Sequence, residues 1–480
     1  MIGKPKLTVL SEEGIQQIHD ISMQILGTVG VRIPHAEMRR LFGEAGAQVD
    51  DAAEIVKIPE RLVMQCLETV GKSFILYGRD RSKQARFGFG ERNYVSTAGQ
   101  ALWVDDTFTQ RRYATLDDVV TGTRLGDGLP LLNLVGAMAD PHELPVQSRC
   151  VVVAATAIKN STKPLQLWFY DRASARFLME LFVAVAGSEE EAARYPITFP
   201  FLEPISPLRY AREGIDLIFE TAHLSLPVPV GPMAQVGSSA PGTLAGTMAQ
   251  ENAEILAGIC VVQLIQPGLA AFYSGIPHAF DMRTTQLIFS GPEQALMSIA
   301  MTQMGNHYGL PVGLNVGTVD SKFPDAQAGM EAGINLACGF MAGADLSGAL
   351  GICGVDQGAS PAILVMQHEA MAYVERIMRG FELSDEKFGL DVIRSVGPGG
   401  TFLAEPHTVR HFRQELWFPQ LLDREYWSNW IEQGATKMHD RCVAMKDQIL
   451  REHTPEPLDD DTAREVDKIV DAARRHLVGA

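Results

Sequence analysis

The side chains in this sequence best suited to chemistry cluster in short polar or glycine-rich segments that each follow an apolar run. Gln235 to Thr243 reads QVGSSAPGT and leads straight into a helical pattern; Gly237, Ser238, Ser239 and Gly242 would let a ligand approach backbone amides at a helix N-terminus. A plain tight turn explains the same residues equally well. Another segment brings Tyr273 and then His278, and a third brings Asn315, Thr318 and Asp320, with Gln327 further on. These polar groups could orient a small ligand, whereas Asp325 is better read as a helix cap. Trp168 and Tyr170 share one face of an apolar run, and Phe199 and Phe201 share one face of the next. Aromatic faces attract cations, quaternary ammonium groups above all, although aromatics on strands are more often core. Parity alone does not say which face points inward. His407 and His411 share a helix face, but there is no third ligand and no HExxH glutamate, so no protein-bound metal is expected. No GxSxG elbow occurs, and the six cysteines lack CxxC spacing.

The elements that must position these residues show in the hydrophobic rhythm. From Ser11 to Val70 the apolar residues recur at helical spacing, with Ser11 as an N-cap, which predicts a helical N-terminal layer over 1–80. Beyond it, eight branched or aromatic runs alternate with longer helical patterns: 94–103, 132–138, 164–170, 197–202, 228–236, 269–274, 312–317 and 346–354. The best-defined helices are predicted over 243–264, 293–307 and 325–341. Strand alternating with helix means parallel strands, and eight units point to a closed (β/α)8 barrel, an α/β TIM barrel, over 81–418. An open doubly wound sheet is the alternative. Residues 419–480 read as C-terminal helices packed outside the barrel. In such a barrel the loops after the strands converge on one face, which is where the polar segments above would meet.

Composition limits the partners. The chain has 480 residues, 46% hydrophobic and 21% charged, with a formal net charge of -17, which disfavours a nucleic-acid backbone as partner. No apolar stretch approaches the roughly 20 residues needed to span a bilayer, and the first residues lack a signal peptide's apolar run, so a cytoplasmic protein is expected.

Gly317 to Gly329, GTVDSKFPDAQAG, resembles a segment of the trimethylamine:corrinoid methyltransferase family. GVRIPHAEMRRLFGEAGAQVD, KIPERLV, YGRDRS, GSSAPGTLAGT, QENAEILAG and VGPGGTFLAEPHTVRHFR extend the likeness over nearly the whole chain. The resemblance implies a barrel enzyme that moves a methyl group from an amine to the cobalt of a corrinoid (cobalamin) borne by a separate small protein, since no DxHxxG cobalt-ligating sequence is present. Archaeal members that demethylate trimethylamine hold a pyrrolysine in the seventh-strand loop; aligned on Asp320, Lys322, Pro324 and Gln327, that position here is Thr318. The chain is therefore similar to the branch without pyrrolysine, some of whose members demethylate glycine betaine or related quaternary amines. On this reading Thr318, Asn315 and Asp320 stand at the reacting end, although Thr318 is at least as readily a space-filling residue. Trp168, Phe199, Phe201, Tyr273, His278 and Gln327 line the substrate, and the corrinoid docks over the loops holding Gly237, Ser238, Ser239, Gly242, Gly399 and Gly400. Oligomerisation of identical chains is expected. A corrinoid/folate methyltransferase and a catalytically silent quaternary-amine binder are the alternatives.

Overall fold

The structure is a computed structural model that describes residues 2–3 and 5–479. Eight extended segments close a ring. Asn93–Ser96 meets the second strand, Val135–Gly136, through a Val95 and Leu134 bridge, and Val135 pairs in parallel with Leu165 of the third, Leu165–Gln166. The fourth stave, 197–202, joins by the Leu165 amide donating to the Ile197 carbonyl and by a bridge from Leu202 to Val230. The fifth and sixth, Val228–Val230 and Ala271–Tyr273, pair in parallel, and Tyr273 bridges to Val312 at the seventh, Gly313–Leu314. The eighth, Leu346–Leu350, pairs with the seventh on one side and with the first on the other. Every pairing is parallel, so this is the closed barrel and not the open sheet.

The regular strands are shorter than the apolar runs predict. The run 94–103 divides into the first strand and a separate hairpin, Leu102–Val104 with Arg111–Tyr113. The run 346–354 is interrupted by a bulge between Ser347 and Leu350, where Ala349 adopts φ 63. The helices fall within one residue of expectation at Leu244–Ile265, Pro292–His307 and Ala326–Ala342. Leu244–Ile265 is buried continuously from Thr247 to Gln263 because it lies between the barrel and the N-terminal layer, whose helices Glu12–Gln24 and Glu60–Thr69 pack on its outer side. That layer is mixed: besides its helices it holds an antiparallel sheet of Val31–Arg32, Gln48–Asp50 and Ile55–Lys57. Ser11 caps the first helix by accepting from the Gly14 amide at 3.1 Å.

A hairpin, Phe74–Tyr77 with Gln84–Phe87, straddles residue 80 and closes the strand-entry end of the barrel. Its Leu76, Ala85 and Phe87 share one apolar cluster with Val95, Leu134, Phe199, Phe272 and Leu346 from the strands. At the C-terminal end, Met438–Glu452 packs against Leu116–Gly128 and Pro361–Arg379, and Asp460–Val478 packs against Val146–Asn160 and Arg172–Ala186. Among the described residues no helix is long and apolar enough to cross a membrane.

Candidate active site

The hairpin plug leaves one open end, where the strands finish. Which side chains face into it follows from what their neighbours contact. Leu165 and Leu167 are buried with the outer helices, so Gln166 and Trp168 face the lumen. Phe199 lies in the lumen floor, edge-on to Phe272 at 5.5 Å. Phe201 and Glu203 follow on the same face, one step nearer the opening each time. A β-carbon at Gly231 would stand 2.6 Å from the Phe201 ring, and one at Gly313 would stand 3.0 Å from both Phe272 and the Ser274 hydroxyl. Glycine at these two positions gives the lumen its width. Asn315 lies two residues beyond Gly313, its side-chain oxygen near Gly348 of the eighth strand.

The mouth is therefore aromatic on one side and acidic on the other. Trp168, 38% exposed, donates its indole N–H to the Gly99 carbonyl at 3.1 Å, which fixes the ring. Asp356 accepts from the Gln100 amide at 2.9 Å. Water reaches Asp356 and Glu203 from the opening, yet the enclosing walls push the Asp356 carboxyl up to about 6. The same enclosure, and then the charge of Asp356, raises Glu203. Gln166 adds a buried amide oxygen without a protein donor. A pocket with two aromatic faces, two carboxylates and an unpaired acceptor suits a small cation.

Of the residues expected from the sequence, Trp168, Phe201 and Asn315 meet in this lumen, with Phe199 as its floor. The others lie elsewhere. Tyr273 faces the outer layer, where its hydroxyl donates to the Asn252 side chain at 2.9 Å. His278 is fully buried, stacked on Phe289 at 4.7 Å, and burial pulls its pKa down to about 4. With Nδ1–H donating to the Ile276 carbonyl, its Nε2 carries no proton to offer a carboxylate. Thr318 is enclosed, its hydroxyl 3.4 Å from the Phe289 carbonyl, which fits the space-filling reading. Asp320 accepts from the Phe289 and Ser290 amides and so ties down the segment after the hairpin of His278–Asp281 with Gln286–Ile288. Gln327 donates to Glu331 on an exposed helix face, and Asp325 caps that helix as expected.

The two parts of the expected corrinoid surface are separated. Gly237, Ser238, Ser239 and Gly242 form a turn at the mouth rim, held by the Gln250 amide donating to the Ser239 carbonyl, with Thr243 capping the next helix. Gly399 and Gly400 belong to a helical appendage, Asp385–Phe388, Leu390–Val396 and Pro406–Glu415. That appendage is anchored at the strand-entry end, where Arg376 donates to the Glu415 carbonyl; the neighbouring Glu375 pairs with Arg92, just before the first strand. Among the described residues no group of three or more His, Cys, Asp or Glu could hold a metal ion.

Three further residues complete the mouth. Glu203 and Asp356 carry its charge and Gln166 its open acceptor. Glu203 was within reach of sequence reading, since Phe199, Phe201 and Glu203 keep strict alternation on one face. Gln166 stands two residues before Trp168 in the same way.

A family model described as trimethylamine methyltransferase (MTTB) matches residues 2–478. The chain belongs to this family. It is 28% identical to trimethylamine methyltransferase MttB of Desulfitobacterium hafniense over 97% of this chain and 94% of that protein. It is also 28% identical to a glycine betaine methyltransferase from another strain of that species, over 95% of each chain. The Methanosarcina thermophila MttB is 29% identical over 96% of each.

Proposed function

We propose that this methyltransferase takes a methyl group from a quaternary amine, glycine betaine or a relative, and delivers it to the Co(I) of a corrinoid carried by a separate protein. The observation that supports this reading most is the mouth itself, where Trp168, Phe201, Glu203 and Asp356 favour a permanent cation. A quaternary ammonium is already activated for methyl transfer, because its C–N bond breaks with the electron pair going to nitrogen and leaves a neutral tertiary amine. The corrinoid supplies the nucleophile that accepts the methyl group. This chain's residues have the remaining tasks: Trp168 and Phe201 hold the ammonium against their faces, Glu203 and Asp356 draw it in from the opening, and the lumen walls orient it. The rim fits approach by a flat macrocycle, since a β-carbon on Gly242 would meet nothing within 4 Å. Thr318, enclosed below the rim, fills the place where family members specific for trimethylamine hold pyrrolysine.

The deciding experiment follows methylcobalamin formation by absorbance with purified protein, chemically reduced cob(I)alamin and a panel of trimethylamine, tetramethylammonium and several betaines. Turnover of a quaternary amine with trimethylamine inert is expected. Turnover of trimethylamine alone would overturn the substrate class, and tight binding without methylcobalamin would overturn the catalytic reading.

A further inference from the structure

Beside the mouth lies a second concavity. The hairpin of Leu102–Val104 and Arg111–Tyr113 joins a small sheet with Gly358–Ala359 and Ile352–Cys353, through Trp103 pairing with Ala359. Below this sheet is a cavity of about 330 Å³ lined by Val104, Phe108, Arg111, Lys322, Cys353 and Gln357. Two cations converge there. Arg111 donates to the Gln357 side-chain oxygen at 2.8 Å, and neither Arg111 nor Lys322 forms an ion pair among the described residues. In a chain with 58 acidic against 41 basic residues, two cations without an ion pair at one cavity make a locally positive patch, tempered on the Lys322 side by the nearby Asp320 charge. Both are close enough to act on the Cys353 thiol, yet burial keeps that thiol neutral by pushing it up to about 12, so it does not serve as their counter-ion.

The wall between this niche and the mouth is a single turn. Gly354, Val355 and Asp356 all have left-handed backbone, at φ 66, 60 and 59, a conformation that disfavours a β-branched residue such as Val355. The turn sends Asp356 to Gln100 at the mouth and the next residue, Gln357, to Arg111 in the niche. Negative and positive subsites thus stand back to back, about one residue apart along the chain.

We propose that the niche of Arg111 and Lys322 is an oxyanion subsite that holds the carboxylate of a zwitterionic substrate whose trimethylammonium end lies in the mouth. The subsite itself stands on its own geometry, while the identity of its occupant rests on the methyl-transfer reading above. Because a wall separates the charges, the preferred substrate carries its carboxylate several bonds from nitrogen, farther than the one carbon of glycine betaine.

Titration calorimetry on the full chain tests this with tetramethylammonium, inorganic phosphate and 4-(trimethylammonio)butanoate, comparing the parent with the R111M/K322M double variant. Both side chains are exposed, and an unchanged unfolding temperature verifies folding. The zwitterion should bind the parent about tenfold or more tightly than tetramethylammonium, and the double variant should lose that increment, and phosphate binding, with tetramethylammonium unchanged. Equal affinity for zwitterion and tetramethylammonium, untouched by the double substitution, would overturn the subsite. Phosphate binding that depends on both cations, with no tetramethylammonium binding at all, would support the subsite and remove the quaternary-amine reading instead. A final arm compares cobalamin with cobinamide, which lacks the nucleotide phosphodiester. If the double variant raises KM for cobalamin alone and leaves zwitterion binding intact, the anion belongs to the corrinoid and the substrate assignment is overturned.

Discussion

Asp356 keeps its proton up to about pH 6 because the walls of the mouth withdraw it from bulk water, whereas an ordinary aspartate is ionised well below that. Its charge, and with it the attraction for a quaternary ammonium, should therefore develop as pH rises from 5 to 7. Affinity for tetramethylammonium measured across that range should climb in the parent and stay nearly flat in Asp356→Asn; a parent profile that is already flat would remove Asp356 from the site. Trp168 contributes by a different force. Its face should be worth about 2 kcal/mol to a desolvated cation, so Trp168→Ala should weaken binding by about thirtyfold while Trp168→Phe retains part of it. At this scale the sequence was only half legible. Residue types that bind cations can be recognised, but a burial pattern decides which of two strand faces points inward. Trp168 and Phe201 face the lumen, while Tyr273, equally aromatic and also on a strand, faces the helices.

Among the elements, the helix Leu244–Ile265 connects the mouth loops to the rest of the barrel through two buried carboxyl groups. Glu251 accepts from the Ala234 amide at 3.0 Å, and its other oxygen stands 3.1 Å from where a β-carbon on Gly275 would lie, which sets the loops after the fifth and sixth strands against one side chain. Burial first, and then the charge of Glu254, raises its pKa well above the ordinary value, which favours the neutral acid. Glu254 in turn accepts from Ser206 at 2.6 Å and from the Leu208 amide at 2.8 Å, holding the loop after the fourth stave. A neutral acid and a primary amide are close in shape and in accepting power. Glu251→Gln should accordingly cost little, under about 1.5 kcal/mol in urea unfolding. Glu251→Ala should cost roughly 2–5 kcal/mol by stranding the buried Ala234 amide and leaving a cavity, and should also raise KM by letting both loops relax. Equal losses for Gln and Ala would show that Glu251 acts as an anion. Helices of this kind were legible in advance because their length and caps are local properties; Ser11 and Asp325 cap as their sequence context predicts. Strands of two to five residues were not, since closure around the ring sets their extent and neighbours far along the chain supply it.

For the molecule as a whole, stability against acid should be set in large part by histidines that fold without their protons. Burial lowers His278 to about 4, and burial with help from the nearby Lys163 charge lowers His368 to about 4 as well. His368 is locked as an acceptor, taking the Leu131 amide at 3.3 Å between the helix after the eighth strand and the loop before the second. In the unfolded chain each imidazole binds a proton near pH 6.5, whereas in the folded chain it does so only near 4. Between those values the unfolded state holds more protons, so stability rises with pH, and it is lost as pH falls from 6.5 towards 4. Each histidine accounts for roughly 3 kcal/mol at full effect. Asp356 runs the other way, since its raised pKa leaves the folded state holding the extra proton below 6, but it sits at an opening where solvent screening weakens the term. The unfolding temperature should then rise steadily from pH 4.5 to 7. A variant with both His278→Gln and His368→Gln should lose most of that slope even if it starts from a lower stability. The two histidines lie on different walls of the barrel, one behind the sixth-strand loop and one under the second strand, so their effects should add. A slope unchanged in the double variant would instead assign the acid sensitivity to the carboxylates, of which Asp127, held low by the Thr162 amide, His453 and Ser161, is the first to examine.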